Sequence, residues 1–419
     1  MKISRDKYLE KIRKSLSREK VTFLIGARRV GKTTLMKAIQ EKVKGSKSLY
    51  ISFDDLLSLP KFSSTADFLS YLGVKAKKDL GNIKYLFLDE VQSVDNIEII
   101  LKDLLDNDRR FYILASGSGS FEIFRNIKES LMGRKEVIYI YPISFTEFLN
   151  YKNEDLDFWC QNWYPELLDE KKHLLEEFLR FGGYPSVVCA ESEEEKLKEI
   201  KNIVDTWLEI DIRLILKKED FFEFRNFLEA VSQTSGSLIK IDRLAQDFGF
   251  KSRQIKKYLQ ILQKSFLVDF VQPFSRKRPD EIKSHQKAYF LDLGIFNYLN
   301  QKFNFDQNYR GRIIENFVFT EFLKSKKESQ IIKFWRTKNG VEIDFLIFNL
   351  LKDSFDIYEV KSKSTDIIPK SYRSFFETYK QNISNLYLLN KNIKKDRSFS
   401  NKKVFFKPFI FSSLDFDFD

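Results

Sequence analysis

VTFLIGARRVGKTTLMKAIQ, residues 21–40, carries the strongest fold signal in the first part of the chain. The apolar run at 21–25 predicts a buried strand, and the pattern from residue 32 onward predicts a helix. Between them the chain fits G-x-x-x-x-G-K-[ST], a loop whose backbone N–H groups and following helix surround a phosphate. The residues that meet this spacing are Gly26, Gly31, Lys32 and Thr33.

Phosphate chemistry explains why these residue types stand at this spacing. Lys32 is placed to reach the β- and γ-phosphates of a nucleotide, and Thr33 is placed to ligate Mg²⁺. We therefore predict an ATP and Mg²⁺ site here, the alternative being a strand–turn–helix without nucleotide. The predicted nucleotide contacts are Gly26, Arg28, Arg29, Val30, Gly31, Lys32, Thr33 and Thr34.

A second motif supplies acidic groups for the metal and for water. In KYLFLDEVQ, residues 84–92, an apolar strand ends in Asp89 and Glu90. Asp89 can hold the Mg²⁺ shell and Glu90 can polarise the attacking water, although two solvated acids at a strand end are the alternative. The next apolar strand, FYILASGS, reaches Ser116, which could sense the γ-phosphate or belong to an ordinary flexible turn.

The order of the predicted elements indicates an α/β fold. Strands alternate with helices over residues 20–140, a pattern typical of a parallel sheet with helices on both faces. Phosphate would bind at the carboxyl ends of those strands. The segment 151–225 is rich in Glu and Asp, reads as helical and predicts a lid.

Composition bounds the class of protein. A chain of 419 residues with 42 Phe predicts two to four domains with real cores. Two cysteines and two histidines argue against a disulfide framework and against a zinc site. The charged N-terminus lacks a signal-peptide core and no apolar run could cross a bilayer, so we expect a cytoplasmic protein without membrane contact. The formal charge of +12 suggests an anionic partner.

Four motifs together resemble a known family. GARRVGKTTL, YLFLDEVQ, LMGRKEVIYIYPISFTEFL and FGGYP, in this order, look like the prokaryotic AAA-type ATPases with a C-terminal domain of unassigned function. The resemblance implies that Gly183 and Pro185 pack near the adenine. It also makes Arg134 a candidate arginine finger or γ-phosphate contact, the alternative being a surface arginine in a turn. Ser116 departs from the family pattern, in which a threonine is common at this point.

The positive charge is concentrated after residue 249. Residues 249–287 contain ten Lys or Arg against three Asp or Glu, a net charge of +7. Two amphipathic helix patterns followed by an apolar strand pattern resemble a winged helix. Such a domain predicts DNA contact, although winged helices also serve as protein-interaction modules. The predicted DNA contacts are Arg253, Lys256, Lys257, Arg276, Lys277 and Arg278.

The C-terminal region carries a second set of chemical groups. An amphipathic helix holds Glu315, a predicted hairpin holds Asp344, and the strand FDIYEVKSK holds Glu359 and Lys361 on one face. This order resembles the pattern of the restriction-endonuclease-like fold, and the resemblance implies the following roles. Glu315, Asp344 and Glu359 would bind Mg²⁺ or Mn²⁺, and Lys361 would act on the attacking water. The alternative is an ion-pair cluster in a docking domain.

The sequence thus predicts an ATPase that acts on DNA, with Glu90, Lys32, Arg134 and Lys361 as catalytic residues. The predicted domains are an AAA-like P-loop core at 1–150, a helical lid at 151–230, a winged helix at 231–300 and a nuclease-like domain at 301–419. ATPase domains could also assemble into a homo-oligomeric ring or dimer. The alternative function is an ATP-controlled switch or adaptor that binds a protein partner and has an inactive C-terminal domain.

Overall fold

The computed structural model describes most of the chain. The described residues are 3–43, 47–54, 61–77, 79–108, 110–118, 131–155, 166, 170–275, 285–379 and 382–412. Arg276, Lys277 and Arg278 lie outside these residues, so their predicted role has no structural description.

The first sheet has five parallel strands within the described residues, in the order β2-β3-β4-β1-β5. Helices alternate with these strands, as the sequence predicts. The strands are β1 Val21–Gly26, β2 Ser48–Ser52, β3 Tyr85–Asp89, β4 Tyr112–Ser118 and β5 Lys135–Tyr139. The helices are α1 Asp6–Ser15, α2 Lys32–Lys42, α3 Thr65–Lys75, α4 Ile97–Asn107 and α5 Phe145–Tyr151. Because α2 begins at Lys32, the phosphate-loop motif lies at the carboxyl end of β1.

A helical segment follows, and no strand occurs in the described part of residues 151–225. A six-residue π-helix, Trp207–Ile212, continues directly from α8. Such π-turns are uncommon and occur often at functional sites. The helices are α6 Lys172–Phe181, α7 Pro185–Cys189, α8 Glu193–Thr206, α9 Arg213–Ile215 and α10 Lys218–Gln233.

A helix pair and an antiparallel hairpin come next: α11 Ile241–Phe248, α12 Ser252–Lys264, β6 Val268–Pro273 and β7 Lys287–Phe290. Gly249 ends α11 in the left-handed conformation, as a C-terminal glycine does. The apolar face of α12 is buried, including Ile255, Tyr258, Leu259 and Leu262. Strand β6 starts at Val268, directly after a turn in which Phe266 has a φ of 59°.

The C-terminal region forms a mixed sheet that also takes in the hairpin. The described residues give the order β12-β13-β11-β10-β9-β8-β6-β7, and β6 pairs with β8 in parallel. One continuous sheet therefore crosses the predicted boundary at residue 300. The elements are α13 Leu293–Leu299, α14 Gln307–Ser325, β8 Gln330–Arg336, β9 Glu342–Asn349, β10 Ser354–Val360, α15 Lys370–Tyr379, β11 Ile383–Asn390, β12 Lys395–Phe399 and β13 Lys402–Pro408.

The largest apolar core is shared between these regions. It includes Leu24 of β1, Leu175 of α6, Leu262 of α12 and Phe317 of α14. Burial of such a surface is the main stabilising term for the fold. In the part of the chain that is described, no helix is both long and apolar enough to span a bilayer.

Candidate functional site

The loop between β1 and α2 has the backbone of a phosphate-binding turn. Arg29 and Gly31 adopt left-handed φ values of 63° and 99°. Gly26 is required because a Cβ there would stand 2.1 Å from the carbonyl oxygen of Ile140. The loop is thus held against the chain that follows β5, and its shape depends on both glycines.

Lys32 lies inside this loop. Its side chain is 4% exposed, and Nζ donates to the carbonyl oxygens of Gly26 at 3.1 Å and Ala27 at 2.8 Å. Burial lowers the pKa of the ammonium group, while the carboxylates of Glu90 and Asp89 oppose this shift. Phosphate oxygens would replace the two carbonyl partners of a lysine in this position.

Asp89 at the end of β3 gathers the groups expected to surround the metal. Thr33 Oγ1 donates to Asp89 Oδ2 over 2.7 Å, and Tyr50 Oη donates to the same oxygen over 2.5 Å. Ser116 Oγ donates to Asp89 Oδ1 and accepts from the N–H of Glu90 at 3.1 Å. The structure therefore brings Thr33, Asp89 and Ser116 together beside the loop. A hydroxyl and a carboxylate are oxygen donors of the type that Mg²⁺ takes together with waters and phosphates, so these residues fit that ion.

Glu90 has an unusual backbone. Its φ of 57° is left-handed, at the turn that follows β3. Gln92 donates its side-chain amide to Glu90 Oε2 and also to Ser118 Oγ, the latter over 2.8 Å. A left-handed non-glycine residue is strained, and such strain is concentrated at functional sites.

The two loop arginines turn to the helical segment. Arg28 Nε donates to Asp211 Oδ1 of the π-helix at 2.7 Å, and Arg29 Nη1 lies 3.9 Å from Glu199 Oε2 of α8. Burial raises the pKa of Asp211, and the bond to Arg28 opposes this shift. These ion pairs connect the loop to the predicted lid. Thr34, also a predicted contact, is exposed on the first turn of α2.

The FGGYP turn lies next to the phosphate loop. A Cβ on Gly31 would be 4.0 Å from Pro185 Cγ, so Pro185 is adjacent to the loop. Gly183 donates its N–H to Asp292 Oδ2 at 2.8 Å, and its carbonyl accepts from the N–H of Ile143 at 2.7 Å. Packing of Gly183 and Pro185 near an adenine remains a prediction.

Arg134 lies at the amino-terminal ends of the strands, whereas the phosphate loop lies at their carboxyl ends. Its carbonyl accepts from Val21 N, at the start of β1, whereas the phosphate loop follows the end of that strand. The two ends of the six-residue strand β1 are about 16 Å apart. Arg134 instead pairs with Asp106 at 2.8 Å. A contact with the γ-phosphate of the same chain is therefore wrong, and only a role toward a second chain stays a prediction.

The predicted C-terminal residues also converge. Lys361 Nζ lies 2.7 Å from Glu359 Oε1, and Asp344 Oδ2 accepts from the N–H of Val360 at 2.8 Å. Burial, followed by the charges of Glu359 and Glu315, raises the pKa of Asp344 well above its usual range. Burial likewise raises the pKa of Glu359. The carboxylate and the ammonium of FDIYEVKSK do stand side by side, as the strand periodicity predicts.

A buried lysine from the hairpin occupies the same cluster. Lys287 of β7 is 1% exposed and lies 3.1 Å from Glu315 Oε1, and it also pairs with Glu342 Oε1. Tyr289 donates its hydroxyl to Glu315 Oε1 at 2.6 Å. Burial alone would lower the pKa of Lys287, but the charges of Glu315 and Glu342 outweigh it and raise the pKa. Glu315 is thus hydrogen-bonded to two residues of β7.

The predicted three-carboxylate metal site does not fit this arrangement. Among the described residues, no three His, Cys, Asp or Glu side chains are grouped so that they could hold a metal ion. Glu315 is turned to Lys287 and Tyr289, and Glu359 is paired with Lys361. Glu315 and Glu359 are each already paired with a lysine ammonium group, so we derive no cleavage step through a metal.

The predicted DNA contacts on α12 face solvent. Arg253 and Lys256 are exposed, and Lys257 is exposed with Asp220 Oδ2 at 3.9 Å. Glu223, which accepts from Gln254 at 2.9 Å, adds a second acid beside this face. The cations therefore form an accessible surface with acidic neighbours at its edge.

Comparisons with known proteins agree with the first of these sites. Family models match three consecutive segments: an AAA domain at 18–149, a domain of unknown function (DUF8612) at 172–306 and another (DUF4143) at 310–407. AMPPCP-bound DnaA from Aquifex aeolicus covers 62% of this chain and 86% of its own, with 18% identity and a TM-score of 0.25. The matched family and the loop geometry define the class: the chain is a P-loop protein with an AAA domain.

Two relatives match most of the chain. The uncharacterized protein MJ1544 of Methanocaldococcus jannaschii is 31% identical over 384 residues, which are 89% of this chain and 82% of the relative. An uncharacterized protein of Haemophilus influenzae is 26% identical over 359 residues, 82% of this chain and 83% of the relative. The chain belongs to the family of MJ1544.

Several residues at these sites lie outside the sequence motifs and were not predicted. Tyr50 and Lys287 stand in strands without any distinguishing pattern, and a buried lysine looks like a surface lysine in a sequence. Asp292 could have been found, because an aspartate after an apolar strand and before Leu293-Gly294 is a helix N-cap signal. Asp211 gave no signal, since an acid in an acidic helical segment predicts a solvated face.

Proposed function

We propose that this protein hydrolyses ATP at the loop 26–34 and uses the cycle to control its helical and C-terminal regions. The observation that carries the proposal is the 2.7 Å hydrogen bond from Thr33 to Asp89, which joins the phosphate loop to the acidic strand end. The AAA domain matched at 18–149 supports the same assignment. A phosphate loop and an acidic strand end in contact are the minimal parts of a nucleotide-hydrolysing site.

Each side chain then has a defined task. Lys32 and the N-terminus of α2 bind the β- and γ-phosphates, and Thr33 and Asp89 hold Mg²⁺. When bound, that ion neutralises charge on the phosphate oxygens. Glu90 orients the attacking water and takes its proton as the bond to the γ-phosphorus forms and ADP leaves. Ser116 keeps Asp89 and the Glu90 backbone in register through its two hydrogen bonds.

The test compares nucleotide binding and turnover in two variants. Lys32→Ala should lose the ATP-induced rise in melting temperature, because the phosphates lose their cation. Glu90→Gln should keep that rise and lose turnover by on the order of 100-fold, since proton transfer alone is removed. Parental phosphate release by Glu90→Gln would show that the acidic pair is misassigned.

We also propose that the elements from α10 to β7 form a winged helix that contacts DNA. Helix α10, a bridge at Leu238, α11, α12 and the β6–β7 hairpin follow in the order of such a domain. The exposed cations of α12 support contact with phosphates in a duplex. We do not propose a metal-dependent nuclease, because Glu315 is bonded to Lys287 and Tyr289 and Glu359 is paired with Lys361.

The DNA proposal is tested by charge reversal. Arg253, Lys256 and Lys257 replaced together by Glu should weaken binding to any duplex. The slope of log K against log salt should fall by roughly 0.9 for each phosphate that the variant no longer neutralises. The control reverses three exposed lysines elsewhere, Lys102, Lys198 and Lys201.

The adaptor alternative is favoured by the pairing of Glu315 and Glu359 with lysines and by the acids beside α12. It predicts equal DNA binding by both triple variants, or none by the parental protein, with ATP turnover intact. Either result would replace DNA by a protein partner in the proposal.

A further inference from the structure

Arg5, before α1, is buried against the phosphate loop. It is 6% exposed, and Nη1 donates to the carbonyl oxygen of Val30 at 3.0 Å. Nη2 donates to the carbonyl oxygen of Tyr141 at 2.9 Å, and Nε donates to Glu147 Oε1 at 3.0 Å. One guanidinium therefore joins the N-terminus, the loop, and the chain that follows β5.

The hydrogen bond to the Val30 carbonyl fixes the backbone in the middle of the phosphate loop. Val30 stands between Arg29 and Gly31, both of which have left-handed φ values. The Val30 carbonyl and the Gly31 N–H belong to one planar trans peptide, in which the two groups point in opposite directions. With the carbonyl turned to Arg5, the N–H of Gly31 is turned away from Arg5.

We propose that Arg5 is a positioning residue for nucleotide binding, because it sets the orientation of the Val30–Gly31 peptide. With the carbonyl held by Arg5, the Gly31 N–H faces the phosphate. If this peptide flipped, a carbonyl oxygen would face the phosphate instead and would repel it. Backbone N–H groups that converge on an anion are the basis of phosphate binding in such loops.

The position of Arg5 is fixed in turn by Glu147. This residue accepts from Arg5 through both carboxylate oxygens and also accepts from Ser144 N at 2.9 Å in the capping box of α5. The Tyr8 ring centre lies 4.4 Å from Arg5 Cζ. The YPISFTEFL motif therefore has a role that its sequence alone does not suggest. Its residues Tyr141 and Glu147 bind Arg5, which in turn donates to the phosphate loop.

The inference rests on the proposed ATPase function and is tested on the full chain by steady-state hydrolysis. In Arg5→Lys a single ammonium keeps the charge for Glu147 but cannot hold the Val30 and Tyr141 carbonyls in the same fork geometry. We expect KM for ATP to rise about tenfold while kcat changes less than about twofold, since Thr33 and Glu90 are intact. Arg5→Gln should raise KM at least as much.

Lys196→Met is the matched control. Lys196 is 5% exposed and donates to the carbonyl oxygens of Val187 and Ala190, at 3.0 and 2.7 Å, and pairs with Glu177. It is therefore a buried cation of α8 with a similar set of partners, which lie on α6, on α7 and directly after α7. Its loss should lower the melting temperature and leave KM unchanged when hydrolysis is measured well below the transition.

The outcomes separate the inference from the proposed function. An unchanged KM in Arg5→Lys, or an equal rise in Lys196→Met, overturns the role of Arg5 and leaves the ATPase proposal intact. If Arg5→Gln fails to fold, Arg5→Lys and Glu147→Gln decide, and both should raise KM. A parental protein that neither binds nor hydrolyses ATP, like Lys32→Ala, overturns both claims together.

Discussion

Asp89 shows how much a single side chain organises at this site. Three hydroxyl groups, from Thr33, Tyr50 and Ser116, donate to its two carboxylate oxygens. Tyr50 is held in its protonated, donating form, because burial and the bond to Asp89 raise its pKa. A carboxylate with this many partners is buried at little net cost. It is also presented rigidly beside the loop.

Lys407 on β13 gives a residue-scale prediction about pH. Its side chain is 9% exposed, with Nζ 5.0 Å from the ring centre of Tyr387, and burial lowers its pKa to about 8. In the unfolded chain its pKa is about 10.4. Between these values the native protein has released a proton that the unfolded chain still holds, so stability rises with pH over this window and falls as pH drops toward 8.

The measurement is chemical unfolding at pH 8 and at pH 9.5. We expect the contribution of Lys407 to the free energy of unfolding to rise by about 1 kcal/mol, after allowance for solvent screening. Lys407→Met should lack this increment. An identical pH dependence in the two proteins would show that Lys407 titrates normally.

At the scale of elements, sequence patterns predicted what local physics determines. The phosphate-loop strand and helix, the alternating sheet, the helix pair and the C-terminal hairpin follow from periodicity and from glycine positions. The side-by-side placement of Glu359 and Lys361 follows from strand alternation. Pairings between distant segments were not predictable, because no local pattern records them. The parallel pairing of β6 with β8 and the insertion of Lys287 beside Glu315 are the main examples.

The hairpin lysine gives an element-scale prediction. Lys287 joins β7 to α14 and β9 through Glu315 and Glu342. Lys287→Met should leave the partly buried Glu315 without its cation, while Glu342 keeps Arg336, and should lower the free energy of unfolding by about 3 kcal/mol. Lys338→Met, an exposed change in the β8–β9 hairpin, is the control and should be near neutral.

Metal dependence distinguishes this interpretation from a nuclease site. Because the ammonium group already serves as the counter-ion, Mn²⁺ should leave the melting temperature of the parental protein unchanged. A Mn²⁺-induced rise that disappears in Asp344→Ala would contradict the interpretation and restore the metal site. Glu315→Gln introduced into Lys287→Met should recover part of the stability, since it removes the charge left without its cation.

At the scale of the whole molecule, the AAA domain and the C-terminal region are bonded to one another. Glu321 of α14 accepts from Phe145 N at 3.1 Å, and Lys324 of the same helix donates to the Ile143 carbonyl at 3.1 Å. Helix α14 also carries Glu315, the partner of Lys287. The segment that binds Arg5 therefore contacts helix α14, and α14 is bonded to the β6–β7 hairpin through Glu315. Residues 140–147 therefore contact both Arg5, which is bonded to the phosphate loop, and helix α14 of the C-terminal region.

Arg134 gives the whole-molecule prediction, because its position rules out an action on its own loop. It lies at the amino-terminal ends of the strands, opposite the phosphate loop. Its side chain is 40% exposed and pairs with Asp106. An arginine at this position could contact a phosphate only in the site of a second chain. If it does, Arg134→Ala and Lys32→Ala should each be inactive alone. An equal mixture should recover about a quarter of the parental ATP turnover, since half of the intact loops then meet an intact arginine.

The mixing experiment is measured alongside the molar mass of the assemblies by light scattering. Asp106→Ala removes the intrachain partner of Arg134 and is the control: it should retain turnover, because the arginine that acts on the neighbouring site is still present. Co-assembly of the two inactive variants without recovery would show that Arg134 serves only its ion pair with Asp106. A protein that stays monomeric with ATP while Arg134→Ala remains fully active leads to the same conclusion, since a single chain cannot bring this arginine to a phosphate.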